Sequence, residues 1–266
     1  MKIEEVKKLG LNLKNVDLNS LDNLSSFFEE ELSYIDFSEL DPSLKNDYIS
    51  VILANQKREN LFISDTISDC VPRENFFNSK LSNLGYLDCL FVSDVRNIRI
   101  GTEKIFNDFL ISQKNKDIVH YVGLKYNSDS ELLSNILFNY PVIDIVELEV
   151  NYLDWINDSN FVRQNIDVCK KFNKKVIVSN TDKNKYLSDK FPSDLEDILR
   201  ENDPYSSPRS WAIRFVNSLP DISLIVTNPI SKKELYDDII TINYKDNEMT
   251  SSEINCLKTI CKKLSC

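Results

Sequence analysis

The chain has 266 residues, of which 42% are hydrophobic and 28% are charged, a composition typical of a globular protein that can bury a full core. Its formal net charge is −10, with an isoelectric point near 4.8, so nucleic acid and anionic membranes are poor partners. No apolar run approaches the roughly 20 residues of a membrane helix. The N-terminal sequence lacks the apolar region of a signal peptide. We therefore expect a cytoplasmic protein.

Glycine and cysteine usage limits the kinds of site that this chain can build. There are 4 glycines, where average usage of about 7% would give roughly 19, and phosphate-binding loops depend on glycine. The 6 cysteines include no C-x-x-C pair, and the spacing of Cys256, Cys261 and Cys266 suits no zinc site. We expect free thiols that mostly fill the core, with a redox-active tail as the alternative.

Short apolar runs alternate with longer amphipathic stretches along the whole sequence. The strand-like runs are 9–13, 34–37, 61–64, 86–92, 118–124, 143–150, 176–178 and 223–227. The helical patterns are 21–32, 43–57, 74–84, 102–114, 130–138, 160–173, 194–200 continued by 208–218, and 231–239. Eight such units in a chain of this length predict a (β/α)8 TIM barrel. We expect one domain over 1–266, with 245–266 as its C-terminal helical tail.

The functional groups of such a barrel lie at the carboxyl ends of its strands. In this sequence those ends are rich in carboxylates, notably Asp36, Asp65, Glu147 and Glu149. These oxygens suit a hard divalent ion, and an acidic mouth also suits a cationic group or a peptide. However, the lone histidine, His120, is predicted early in its strand, at the opposite end of the barrel, and we predict no metal site.

Several segments resemble the aldo/keto reductase superfamily in order along the chain. The most specific are VIDIVELEVNYLDW, NIDVCKKFNKKVIVSN and PRSWAIRFVNSLPDISLIVTNPISKKELYDDI, which resemble strand six to the last helix of that family. Upstream, NLGYLDCLFVSDV and DIVHYVGLKY resemble strands four and five, and KKLGLNL and YIDFSEL give weaker matches. The resemblance implies an aldo/keto-reductase-like (β/α)8 barrel, in a family that reduces carbonyl groups with NAD(P)H.

The catalytic positions depart from that family. Its members use an Asp, a Tyr, a Lys and a His, and the resemblance places only the Asp, at Asp36. The Tyr position falls near Asp41, the Lys position on Thr66 and the His position on Ser93. The tyrosine is the proton donor and the lysine lowers its pKa. The loss of all three implies that ordinary carbonyl reduction is absent.

The positions that hold the nicotinamide amide depart as well. The family uses Ser-Asn after strand five and Gln on strand six, where this chain has Lys125, Tyr126 and Glu147. Strand alternation places Asn151 on the same face as Glu147. A buried carboxylate needs a cation, and Lys125 is the natural partner. We therefore predict a Lys125–Glu147 ion pair that fills the nicotinamide pocket.

The expected phosphate loop is only partly retained. It keeps Ser231, Lys232 and Lys233, but it lacks the usual Arg, and Asp238 stands where the family closes the motif with Asn. A helix N-terminus with two lysines still attracts anions, although it is equally a solvated helix start. We predict no bound cofactor, with NADP possible only under the alternative function below.

The leading hypothesis is a barrel that has lost NAD(P)H-dependent reduction. It would serve as a binding or accessory protein, or carry a different, non-redox activity at its acidic mouth. One alternative is an NAD(P)H-dependent oxidoreductase with an atypical active site. Another is a subunit that regulates or scaffolds a partner enzyme. The partner would be a small molecule, a peptide or a protein, and neither nucleic acid nor a membrane.

Overall fold

A computed structural model describes residues 1–17, 31–67, 84–93, 103–243 and 248–264. For residues 103–106 it describes the backbone alone. Within these residues eight parallel strands close into a barrel in chain order, each strand pairing with the next and β8 with β1. The predicted (β/α)8 barrel is therefore confirmed. The strands are β1 (Leu9–Asn12), β2 (Tyr34–Asp36), β3 (Phe62–Ile67), β4 (Leu87–Val92), β5 (Val119–Tyr126), β6 (Ile143–Glu149), β7 (Lys175–Ser179) and β8 (Ile222–Thr227).

The described part of the chain contains nine α-helices, most of them between consecutive strands. They are α1 (Lys45–Asn55), α2 (Glu103–Asn115), α3 (Ser130–Asn139), α4 (Tyr152–Ile156), α5 (Val162–Lys171), α6 (Ser193–Asn202), α7 (Pro208–Asn217), α8 (Lys232–Ile242) and α9 (Ser251–Leu264). The helices predicted at 21–32 and 74–84 fall almost entirely outside the described residues. Among the described helices, none is long and apolar enough to cross a membrane.

Strand alternation divides the apolar side chains between two cores. One set fills the space between the barrel and its helices. The other lies inside the barrel and includes Tyr34, Phe62, Phe91 and Ile145. Nearer the carboxyl ends of the strands, the inward-facing residues are mostly polar. The barrel interior therefore consists of an apolar plug and, at the mouth, a polar floor above it.

Gly123 on β5 allows the aromatic plug to pack closely. A side chain at this position would overlap the ring of Phe91 on the neighbouring strand. Two residues further along β5, on the same face, lies Lys125. Its Nζ atom is 5.4 Å from the centroid of the Phe91 ring, so the missing side chain at Gly123 lets Phe91 support the lysine from below.

The predictions for His120 and the cysteines can be checked in the described residues. His120 stacks on Tyr86, with ring centroids 4.5 Å apart, and borders a recess with Met1 at the amino-terminal end of the barrel. It therefore lies opposite the mouth, as predicted. Four cysteines are free and buried, in agreement with a core-filling role: Cys89, Cys169, Cys256 and Cys261. Cys70 and Cys266 fall outside the described residues.

Candidate functional site

A cavity of about 470 Å³ opens at the carboxyl ends of the strands. Among the described residues, its lining is almost entirely polar, with Val226 as the one apolar side chain. The others are Asn12, Lys14, Ser38, Glu39, Thr66, Ser93, Lys125, Glu147, Glu149, Ser179, Asn180, Asn184, Thr227 and Asn228. This volume lies within the range of small-molecule sites. The mouth thus has the size of a ligand site, and the walls that the described residues give it are polar.

Asp36 lies at the end of β2 beneath this cavity and is 1% exposed. Its Oδ1 accepts hydrogen bonds from Ser64 Oγ at 2.9 Å and from the Ser38 amide at 3.2 Å. Its Oδ2 accepts from Ser38 Oγ at 2.6 Å, Asn12 Nδ2 at 2.9 Å and Lys125 Nζ at 3.3 Å. Five donors therefore satisfy one carboxylate, which stabilises its ionised form.

A buried tyrosine completes the hydrogen bonding around Asp36. Ser64 Oγ lies 2.9 Å from both Tyr34 Oη and Asp36 Oδ1. A serine hydroxyl has one proton and a carboxylate only accepts, so Ser64 donates to Asp36 and accepts from Tyr34. Burial raises the pKa of Tyr34 well above its ordinary value, with the charge of Asp36 as the next cause. Tyr34 therefore stays protonated inside the barrel.

Lys125 on β5 extends its ammonium between two buried carboxylates. Its Nζ lies 3.0 Å from Glu147 Oε2 and donates to Asp36 Oδ2 and to Ser38 Oγ, the latter at 3.0 Å. The predicted ion pair with Glu147 is therefore confirmed. Both residues also line an open cavity, and their occupation of the nicotinamide pocket stays a prediction. Thr66 and Ser93, which have short side chains, border the same cavity.

The pKa values of the two carboxylates in this cluster are shifted in opposite directions. Burial opposes the ionisation of Asp36, but the Lys125 ammonium and the Ser38 and Ser64 donors hold its pKa below the ordinary value. Burial raises the pKa of Glu147, and the charge of Asp36 adds to this effect while Lys125 opposes it. Burial would lower the pKa of Lys125, yet Asp36 and Glu147 raise it. Glu147 is thus the group that takes up a proton first.

Thr66 and Ser93, the residues at the expected Lys and His positions, both line the cavity. Thr66 Oγ1 is buried and has no hydrogen-bond partner in the described residues. Asp41, near the expected Tyr position, is instead exposed and caps the turn through Ser43. No tyrosine occurs among the lining residues. The described lining therefore offers no phenol, and the buried carboxylate of Asp36 lies beneath it.

The four carboxylates proposed as oxygen ligands are not brought together. Asp65 follows Ser64 on β3, so its side chain lies on the opposite face of the strand, toward α1. There both of its carboxylate oxygens lie 2.6 Å from Lys45 Nζ. Glu149 is exposed and accepts a hydrogen bond from Asn180 at 2.8 Å. Across the described residues, no group of three or more His, Cys, Asp or Glu side chains is arranged to hold a metal ion.

Two residues predicted around the nicotinamide position have local roles instead. Asn151 caps α4, accepting from the Asp154 amide at 2.9 Å and donating to the Asp154 carboxylate at 2.7 Å. It is buried and is not among the cavity-lining residues. Tyr126 is also buried, and its hydroxyl donates to the Asp129 carbonyl at 2.5 Å. Tyr126 is not among the cavity-lining residues either.

A second charged cluster lies at the other end of the expected cofactor site. Arg209 on α7 makes a two-point contact with Asp238, with Nε to Oδ1 at 2.6 Å and Nη2 to Oδ2 at 2.8 Å. Its Nη1 donates to Asp182 Oδ2 at 3.0 Å. Asp238 is fully buried, and burial raises its pKa against the effect of Arg209. The carboxylate at the expected Asn position is therefore already paired.

The residues of the expected phosphate loop form the start of α8. Ser231 is its N-cap, with Oγ accepting from the Glu234 amide at 3.2 Å. The Glu234 carboxylate accepts in turn from the Ile230 amide at 3.0 Å, so the predicted helix start is confirmed. Lys232 and Lys233 are exposed in the first turn.

Sequence reasoning missed the residues that connect these clusters. Ser38, Ser64 and Tyr34 complete the environment of Asp36, and Arg209 pairs with Asp238. Ser38 carried a usable signal, because a serine two residues after an aspartate commonly bonds back to it. Arg209 carried none of comparable strength, since its partner follows 29 residues later on the next helix.

Comparison with solved structures places this barrel among those of aldo-keto reductases. One from Bacillus halodurans superposes with a TM-score of 0.75 in its holo form, over 96% of this chain and 92% of that chain, at 12% identity. The apo form of the same protein superposes with a TM-score of 0.72, again over 96% of this chain and 92% of that chain, at 14% identity. An aldo-keto reductase enzyme from a Medee basin deep-sea metagenome library gives 0.71 over 98% and 91%, at 15% identity.

These similarities extend over nearly the full length of each chain. No protein-family model matches the sequence, and no curated protein is similar to it. At such low identities the comparison establishes the fold. The chain therefore has an aldo-keto-reductase-like (β/α)8 barrel, and the resemblance inferred from its sequence is confirmed at that level.

Proposed function

We propose that this protein binds a small polar ligand at its barrel mouth, as a binding or accessory protein or with a non-redox activity, and that it does not reduce carbonyl groups with NAD(P)H. The observation that carries the proposal is the Asp36–Lys125–Glu147 cluster. By the resemblance, neutral side chains at positions 125 and 147 would hold the nicotinamide carboxamide. Here an ammonium and a carboxylate stand 3.0 Å apart, so the residues present do not fit that group.

The second end of the expected cofactor site supports the same proposal. Asp238 stands where the resemblance expects a neutral amide, and its carboxylate is held by Arg209. Asp182 also binds Arg209, so this cluster carries an excess of negative charge. A dinucleotide phosphate would therefore meet carboxylates at a site where it requires cationic or neutral donors.

One contact supports the alternative of an oxidoreductase with an atypical site. The Lys125 ammonium lies 3.3 Å from Asp36, so an Asp–Lys pair is present although the lysine comes from β5 and not from the Thr66 position on β3. Such a pair would need a proton donor in the mouth, and the lining contains no tyrosine.

Consumption of NADPH and NADH distinguishes these two candidates. Purified protein is incubated with each nucleotide and a panel of aldehydes and ketones, and the absorbance of the reduced nucleotide is followed. We expect no consumption above the rate without protein. The Thr66→Lys, Ser93→His variant should be equally inactive, because the charged floor and the missing phenol remain. Protein-dependent consumption with any carbonyl substrate would overturn the proposal and favour the oxidoreductase.

A further inference from the structure

The described residues at the floor of the mouth carry one more negative charge than positive charge. Two buried carboxylates, Asp36 and Glu147, share the single ammonium of Lys125. The other charges of the lining are balanced or exposed: Lys14 pairs with Glu39 at the rim, and Glu149 lies at the exposed edge. Burying one excess charge is unfavourable unless a proton or a cation neutralises it.

The hydrogen bonds locate this excess charge on Glu147. Asp36 accepts five hydrogen bonds, whereas Glu147 Oε2 is buried and has the Lys125 ammonium, 3.0 Å away, as its close partner in the described residues. Lys125 also donates to Asp36 and Ser38, so Glu147 shares this ammonium with two other acceptors. Glu147 is only 7% exposed and still lines the cavity. Glu147 is therefore the less fully compensated of the two carboxylates at the cavity floor.

A hydroxyl oxygen borders the same cavity. Thr66 Oγ1 is buried without a partner in the part of the chain that the structure describes, and Ser93 lines the cavity beside it on the neighbouring strand β4. Both hydroxyl groups can accept hydrogen bonds. A carboxylate oxygen together with hydroxyl oxygens is a set of acceptors, and an ammonium group provides three donors with a positive charge.

From this arrangement we propose that the mouth binds a small primary amine, with the ammonium group of the ligand against Glu147 and the hydroxyl of Thr66. The inference rests on the proposed ligand-binding function and names the chemical class of the ligand. A cavity of about 470 Å³ exceeds the roughly 30 Å³ of a water molecule, so it accommodates an organic amine. The described residues hold no metal-ligating cluster, which favours an organic cation over a divalent metal.

A matched pair of probes tests the charge of the ligand. Ethanolamine and ethylene glycol differ by one ammonium group in place of one hydroxyl, and putrescine adds a second ammonium group. Binding to the whole protein is measured by calorimetry at neutral pH. We expect ethanolamine and putrescine to bind at least about ten-fold more tightly than ethylene glycol, a difference of about 1.4 kcal/mol. Equal binding of the three probes would overturn the proposal.

Variants locate the amine and exclude a general charge effect. Glu147→Gln removes the excess charge with little change of shape, and we expect it to weaken ethanolamine binding at least about ten-fold, or about 1.4 kcal/mol. Glu131→Gln removes the same charge from the exposed first turn of α3 and should leave binding unchanged. Equal losses in both variants would contradict the proposed site. Displacement of ethanolamine by sodium or magnesium ions at equal concentration would show an inorganic cation site and overturn the assignment to an amine.

Proton release gives an independent measurement. If the ammonium takes the place of a proton on Glu147, binding near the pKa of Glu147 releases protons, and the calorimetric heat depends on the ionisation enthalpy of the buffer. This dependence should disappear in Glu147→Gln. A protein that binds neither amines nor NADPH would overturn this inference alone, whereas NADPH binding with turnover would overturn the proposed function.

Discussion

The ammonium of Lys125, on β5, lies 3.3 Å from Asp36 at the end of β2, on a strand three places away in the barrel. The same ammonium lies 3.0 Å from Glu147 on the adjacent strand β6. One side chain therefore joins three strands across the floor of the mouth. Lys125 projects into the barrel from β5 and brings a positive charge to the mouth. Thr66 on β3 is neutral and brings none.

Loss of this ammonium should destabilise the protein. Lys125→Met leaves two buried carboxylates without their cation, and we expect a loss of about 3 kcal/mol in the free energy of unfolding, the lower end of the range for a fully buried pair. The lower end applies because the Lys125 side chain is 21% exposed and borders the cavity. Urea unfolding measures the loss. Adding Glu147→Gln to Lys125→Met should recover part of the lost stability. A loss below about 0.5 kcal/mol for Lys125→Met alone, which is typical of a surface ion pair, would contradict the account.

The pH dependence of stability should identify Glu147. Its pKa in the folded protein is raised, so the folded state binds this proton more tightly than the unfolded state does, and stability increases as pH falls through the folded pKa. The gain ends near the ordinary value of 4.5. Asp36 acts in the opposite direction and at lower pH, because its pKa is lowered from 3.8.

The comparison with Glu147→Gln isolates this effect from the other carboxylates. Between neutral pH and about 4.5, the free energy of unfolding of the natural protein should rise relative to that of the variant. Denaturant unfolding at a series of pH values gives the difference curve. A flat curve, or one that falls with acidification over this interval, is incompatible with a raised pKa at Glu147.

The Arg209–Asp238 contact should be a strong determinant of stability. Arg209→Met leaves a fully buried carboxylate unpaired, and we expect a cost of about 3–5 kcal/mol. Arg209→Lys keeps the positive charge but loses the two-point contact, so its cost should be smaller. Thermal and urea unfolding compare the two variants. If Arg209→Met is as stable as the natural protein, Asp238 is not held in the way described.

The close approach at Gly123 gives a prediction that links the core to the mouth. Gly123→Ala places a methyl group against the Phe91 ring, and overpacking of this kind costs about 1–3 kcal/mol. The ring lies beneath Lys125, so its displacement should also disturb the charged floor. Phe91→Leu in the same chain should relieve the strain, giving a favourable coupling between the two changes. Purely additive costs would show that the two side chains do not meet.

Two contacts of Lys125 form the charged floor, one with Glu147 and one with Asp36. The sequence predicted the barrel and the first of these contacts, and both successes have a physical reason. Alternating apolar residues specify strands, and Lys125 and Glu147 were recognisable as partners because they have matching inward positions on neighbouring strands. The contact with Asp36 was not predictable in this way, because β2 and β5 are not neighbours and their approach depends on the tilt of the closed barrel. The open cavity, which Thr66 and Ser93 border, was not predicted because no local sequence pattern records unfilled volume.

Equilibrium binding of NADPH tests most directly the claim that a charged floor replaces the amide-binding site. Thermal unfolding is measured with and without NADPH at about ten times a typical micromolar dissociation constant, where binding would stabilise the protein by about 1.4 kcal/mol. We predict no change in the melting temperature of the natural protein. A reproducible increase, or NADPH retained through purification, would contradict the account and show that the mouth still accepts the nucleotide.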